Sequence, residues 1–138
     1  MTSQEYPHPT WSAAVTAVGT DHVRLSYDYR DVGDFDGFGS LLDDDFRFDY
    51  PGIAESRGRS AVLQRCNAFG SPPLKHHIHQ IVAGGRSVIV LGHLVHRVGR
   101  TASDAEDRGD GLDFADHFTI SEAGMLLSCC RYYHVSPS

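Results

Sequence analysis

Cysteine is scarce in this chain: 138 residues hold three, Cys66, Cys129 and Cys130. An odd count with two of them adjacent excludes the disulfide framework that staples small secreted domains. Positive charge is also in short supply. Twelve Lys and Arg stand against 18 Asp and Glu, for a formal net charge of −6, and no basic cluster exceeds a few residues. A nucleic-acid partner needs a positive surface to displace counterions, and none is encoded here. No apolar run approaches the length that spans a bilayer. The opening MTSQEYPHPTW lacks the basic and apolar halves of a secretory signal. These absences predict a cytoplasmic protein with neither nucleic acid nor membrane as partner.

Repeats and linkers are missing as well, so the chain is expected to form one domain (1–138) with a buried core, preceded by a loose arm over 1–10. Hydrophobic residues make up 41% and charged residues 22% of it, ordinary for a globular protein. A short helix is expected from Trp11 to Val18 and a stronger one from Asp21, with Val23, Tyr27 and Asp31 on one face. Gly33 ends it, and Asp34 can cap a further helix carrying Phe35, Phe38, Leu41 and Leu42. Asp43, Asp44 and Asp45 read as a solvated turn. Residues 46–50 alternate as a strand with Phe46, Phe48 and Tyr50 on one side. Residues 59–69 read as a third helix stopped by Ser71-Pro72-Pro73.

Thereafter the pattern is strands. Residues 76–83 and 87–98 flank Gly84-Gly85 as a hairpin; 111–120 and 125–135 form a second. The charged 101–111 segment between them reads as a loop that could act as a lid. Sequential hairpins with helices gathered at one end predict an α+β fold, a curved antiparallel sheet wrapped by three to four helices around a pocket.

Polar residues forced by alternation onto an apolar face are the candidates for chemistry. Asp116 is the one charge among Leu112, Phe114, Phe118 and Ile120. Burying it requires a partner or a proton, so it is either an acid, base or hydrogen-bonding group in a pocket or a structural carboxylate. Asp31 shares the inward helix face with Tyr27 and sits where the macrodipole disfavours a negative charge, with Arg30 beside it as an offset. The chain has nine histidines, and His76, His77, His79, His93 and His96 crowd one hairpin. His77 and His79 are expected to share a face with Ile81, and His93 lies in the partner strand of that hairpin. An imidazole near a carboxylate is a general base near neutral pH. The same His77-x-His79 spacing, with His93 or His96 as a third ligand, could instead bind a metal. Tyr50 is expected to send its hydroxyl toward a polar partner. No motif activates a cysteine.

Taken in order, Asp31-x-x-Asp34-Phe35-Asp36, Phe46-Arg47-Phe48-Asp49-Tyr50, Gly58-Arg59-Ser60-Ala61-Val62, His76-His77-Ile78, the strand around His93 and Ala115-Asp116-His117-Phe118 resemble the SnoaL-like, nuclear-transport-factor-2-like superfamily. The likeness spans roughly residues 20–135. It is nearest to scytalone dehydratase, bile-acid dehydratase and hexachlorocyclohexane dehydrochlorinase, cofactor-free lyases that use an aspartate–histidine pair. The resemblance implies that Asp31 orients His77 as the base, with His79 as the other candidate. It implies that Tyr50 and His93 donate to a developing oxyanion and that Asp116 binds or protonates the leaving oxygen. Tyr27, Phe48, Phe114, Phe118 and His79 are then expected to contact a hydrophobic polycyclic or polyketide-like substrate, with neither metal nor cofactor. Two departures stand out. Tyr50 occupies the place of the ketosteroid isomerase base, which counts against isomerase chemistry, and Arg30 replaces the tyrosine that precedes the aspartate in scytalone dehydratase. A cyclase, an epoxide-opening enzyme or a non-catalytic binding domain fits the same pocket. The outer face of the last strands (Leu126, Cys130, Tyr132 and His134, or Leu127, Cys129 and Tyr133) suits a homodimer or homotrimer.

Overall fold

The computed structural model describes residues 11–69, 74–96 and 112–134, with the side chains of Phe69 and His96 outside that description. The arm expected over 1–10 and the loop expected over 101–111 also lie outside it. The first helix, α1 (Ala13–Asp31), is continuous where two helices were expected. Ser12 caps it by accepting from the Val15 amide at 3.1 Å. Gly19 lies within it, where a β-carbon would stand 2.4 Å from the Ile120 side chain. The glycine is a close-packing position. Gly19, Val23, Ser26, Tyr27, Arg30 and Asp31 form its buried stripe, at the three- and four-residue spacing of one helical face.

Gly33 adopts φ 77° and turns the chain into α2 (Phe35–Gly39), capped by the Asp34 carboxylate. Strand β1 (Leu42–Asp49) then begins earlier than the pattern predicted, so the triple aspartate belongs to a strand. Leu42 and Phe46, both fully buried, hold this segment down. A register shift against its neighbour falls between Leu42 and Arg47, and Asp44 reaches Arg59 at 2.7 Å. Buried apolar anchors outweighed the local turn propensity of aspartate.

The remaining elements are β2 (Ser56–Arg57), α3 (Arg59–Phe69), β3 (Leu74–Gly84), β4 (Ser87–His96), β5 (Leu112–Ile120) and β6 (Leu126–Tyr133). They complete the α+β fold, a curved six-stranded sheet in the order β2-β1-β6-β5-β4-β3. All neighbours are antiparallel except β1 and β6, which run parallel. The helices cover one face, and the core between them centres on Tyr27, Phe38, Phe46, Val90, Phe118 and Ile120. No described helix is long and apolar enough to cross a membrane.

One irregularity decides which side chains reach the interior. On β3, Ile78 pairs with Gly92 and Gln80 with Leu91, leaving His79 as an extra residue. This β-bulge flips the inside–outside parity of the strand. Leu74, His76 and Ile78 face the core before it, and Ile81 faces the core after it. His77 and His79 are exposed, so they do not share a face with Ile81 as strict alternation predicted. Across the ladder, a β-carbon at Gly92 would stand 2.5 Å from the His77 carbonyl oxygen. Glycine is what lets β4 approach the bulged strand.

Candidate active site

The helices and the inner sheet face line a half-open cavity of about 430 Å³, within the range of small-molecule sites. Phe48, Tyr50, Leu74, Leu94 and Tyr133 give it apolar and aromatic walls, and Arg30, His76 and Arg131 bring polar groups to it.

Asp31, at the end of α1, meets His76 of β3. Its Oδ2 accepts from the His76 backbone amide at 3.0 Å, and its Oδ1 lies 2.6 Å from His76 Nδ1. Both side chains are 9% exposed. Burial lowers the His76 pKa from 6.5 to about 4, the Asp31 hydrogen bond opposes the shift, and the charges of Arg30 and Arg131 reinforce it. The imidazole is therefore neutral near pH 7. With Nδ1–H donating to Asp31, its lone pair is on Nε2. The ring is held by Tyr27 at 4.9 Å and by the edge of Phe114 at 5.6 Å between centroids.

Deeper in, Arg131 donates from Nε and Nη2 to the two oxygens of Asp116, both at 2.8 Å, and the Tyr27 hydroxyl donates to Oδ2 at 2.5 Å. Asp116 is 0% exposed. Burial, then the Asp116 charge, keeps the Tyr27 phenol protonated. The Arg131 guanidinium is flanked by the rings of Phe114 and Tyr50 at 4.2 and 4.3 Å. Arg30 donates from Nε to the Ser26 carbonyl at 3.1 Å and from Nη1 to the Tyr50 hydroxyl at 2.9 Å. The Tyr27, Phe38 and Phe48 rings surround it at 4.8, 5.0 and 5.5 Å. Burial raises the Tyr50 pKa well above its ordinary value, so its hydroxyl keeps a proton to donate.

Of the expected site residues, Phe48 and Tyr50 line the cavity, Asp31 adjoins it only through His76, and Tyr27 and Phe114 pack against the His76 ring. Phe118 packs edge-on against Tyr27 in the core. Asp116 is buried and paired, as alternation required, but it lies beneath the cavity wall with both oxygens engaged, out of reach of a leaving group. His77, His79 and His93 require correction. They sit on the outer sheet face, where His77 stacks on His93 at 4.9 Å and His79 Nε2 lies 2.7 Å from His93 Nδ1. The partner of Asp31 is His76, the residue one position earlier. No group of three or more His, Cys, Asp or Glu side chains suited to a metal ion occurs among the described residues.

Three wall residues were not singled out by the sequence. His76 follows Leu74 and precedes Ile78 at alternate positions, a signal hidden by the bulge. Arg30 lies seven residues after Val23, on the inward helix face. Arg131 pairs across the ladder with Asp116, a match that needs the register of the second hairpin.

Residues 23–128 match the SnoaL-like domain family. No curated protein matches the chain. Among solved structures, an NTF2-like protein of unknown function from Cytophaga hutchinsonii superposes with a TM-score of 0.65 at 14% identity, covering 84% of this chain and 89% of that one. A proposed ketosteroid isomerase from Kribbella flavida gives 0.69 at 17% identity, over 89% and 82%. SalBIII, an epoxide hydrolase/cyclase-like enzyme of pyran ring formation in the polyether salinomycin, gives 0.66 at 16% identity, over 85% and 91%. At these identities the likeness is one of fold.

Proposed function

This chain belongs to the SnoaL-like domain family, and on that premise we propose that it is a cofactor-free acid–base enzyme, a dehydratase or related lyase. Its substrate is a hydrophobic polycyclic or polyketide-like small molecule held in the cavity. The observation that carries this reading is the Asp31–His76 contact at 2.6 Å, which leaves a neutral imidazole with its other nitrogen for the cavity. Asp31 fixes the tautomer, and His76 Nε2 takes a proton from a carbon beside a carbonyl. Tyr50 donates to the oxygen on which charge develops. As the adjacent C–O bond breaks, the imidazolium returns the proton to the departing hydroxyl, so one C=C bond and one water form. Positioned acid–base groups of this kind contribute about a hundred- to ten-thousand-fold.

Product mass tests the reaction. Candidate β-hydroxy ketones incubated with the protein should lose 18 mass units, the mass of water; a ring closed at constant mass assigns the pocket to a cyclase instead. Turnover unchanged in His76→Gln removes the dyad from the mechanism, and no turnover of any candidate leaves a binding domain.

Two accompanying features are proposed with it. Val82, Leu91 and Tyr132 leave apolar surface exposed on the strands, which supports a homodimer or homotrimer; light scattering after gel filtration measures it. All three cysteines are free, which supports a reducing, cytoplasmic compartment.

A further inference from the structure

The geometry points to a substrate that carries a carboxylate, held at the Arg30 wall of the cavity. This rests on the reading above that the cavity is the substrate site, and it names the class of substrate. Two independent observations lead to it. First, Arg30 is 6% exposed, and its Nη2 is buried with no hydrogen-bond partner among the described residues. A buried donor left without an acceptor is costly, and for a charged group more so. The aromatic rings around it and the bonds to Ser26 and Tyr50 hold the guanidinium in place, so it cannot escape to water. Second, the described residues of the cavity wall include three guanidinium groups, Arg30, Arg65 and Arg131, and no carboxylate. Asp116 neutralises only Arg131. Arg65 donates to the Ala54 carbonyl at 2.9 Å, a neutral partner.

A planar fork of N–H donors in an apolar setting matches a carboxylate better than a carbonyl or hydroxyl, because charge-assisted hydrogen bonds are roughly twice as strong as neutral ones. The apolar remainder of the wall selects a ring-bearing body for the same molecule. A carboxylate at that wall offsets the guanidinium charge of Arg30, for which the described wall residues supply no carboxylate.

A matched pair of probes tests this without knowledge of the natural substrate. Calorimetric binding of 2-naphthoate to the wild-type protein should be at least about tenfold tighter than binding of 2-naphthamide, its neutral counterpart. Arg30→Met should abolish that preference while leaving 2-naphthamide binding in place. Arg30→Lys, which keeps the charge and loses the fork, should retain part of it, and Arg65→Met should reduce it by less than Arg30→Met. Equal binding of the two probes by the wild-type protein overturns the proposal, as does failure to bind 2-naphthoate or a preference that survives Arg30→Met. The wild-type comparison decides even where a variant does not fold. His76→Gln separates this from the acid–base reading, since it should leave the preference intact. A preference that holds while turnover is indifferent to His76 sinks the dyad alone; turnover that needs His76 without any preference sinks the carboxylate alone.

Discussion

The inner and outer faces of the sheet carry the same residue types in different circumstances. His76 and His77 are consecutive on β3, yet one is buried against a carboxylate and the other stacks on a neighbouring imidazole in reach of water. Asp116 and Asp113 lie three apart on β5; the first is sealed against Arg131 and Tyr27, the second is exposed. What separates each pair is which way a strand residue points. Burial then converts that into chemistry, since a carboxylate or imidazole gains specific partners and a shifted proton affinity only where water is excluded.

The contrast is broken most severely by exchanging the histidines. His76→Gln should lower kcat/KM by about a hundred- to ten-thousand-fold, whereas His77→Gln should change it less than about twofold. A comparable loss from His77→Gln would restore the expectation drawn from strict alternation.

Next in size is the aspartate pair. Asp116→Asn strands the Arg131 guanidinium in the core and should cost about 3–5 kcal/mol of stability in urea unfolding, against less than about 0.5 kcal/mol for Asp113→Asn. Equal effects would mean that the buried pair is not what organises the floor of the cavity.

Acid sharpens the same contrast. His76 faces Asp31, Tyr27, Arg30 and Arg131 and has a folded pKa of about 4, below the 6.5 of the unfolded chain. Between those values the unfolded state binds the proton more readily, so stability is complete above pH 6.5 and falls as pH drops toward 4. The loss reaches about 3 kcal/mol at pH 4. Urea midpoints from pH 4 to 7 should show this slope in the wild-type protein and lose it in His76→Gln. The acid limb of kcat/KM should likewise fall near pH 4 and not near 6.5.

The smallest effect belongs to the outer cluster. His79→Ser should shift the thermal midpoint by no more than about 2 °C, equivalent to about 0.5 kcal/mol, because its contact with His93 is exposed to water.

How far the sequence carried depended on local regularity. β5 alternates without interruption, so Phe114, Asp116, Phe118 and Ile120 were all legible as one buried face. β3 carries the bulge at His79, and one extra residue transferred the expected base from the interior to the surface. The parity of Leu74, His76 and Ile78 was in the sequence, yet Ile81 on the far side of the bulge argued for the other set. Asp31 was legible from helical spacing, and so was the inward position of Arg30, which reads as a mere offset for Asp31 until its aromatic surroundings are seen. The pairing of Arg131 with Asp116 depends on hairpin register, and the strand assignment of Asp43–Asp45 on burial of Leu42 and Phe46. Neither can be read from a local window.

The parallel pairing of β1 with β6 has a consequence for how the protein comes to be. It is the seam that joins strand 42–49 to strand 126–133, so the polypeptide must close a loop of most of its length before the sheet is continuous. The hairpins of β3 with β4 and of β5 with β6 can form early, while the seam between β1 and β6 waits for that distant closure. Assembly is accordingly expected to be slow for a chain of this size. During synthesis on the ribosome, the cavity cannot be complete until β6, which supplies Arg131 and Tyr133 to its wall, has emerged.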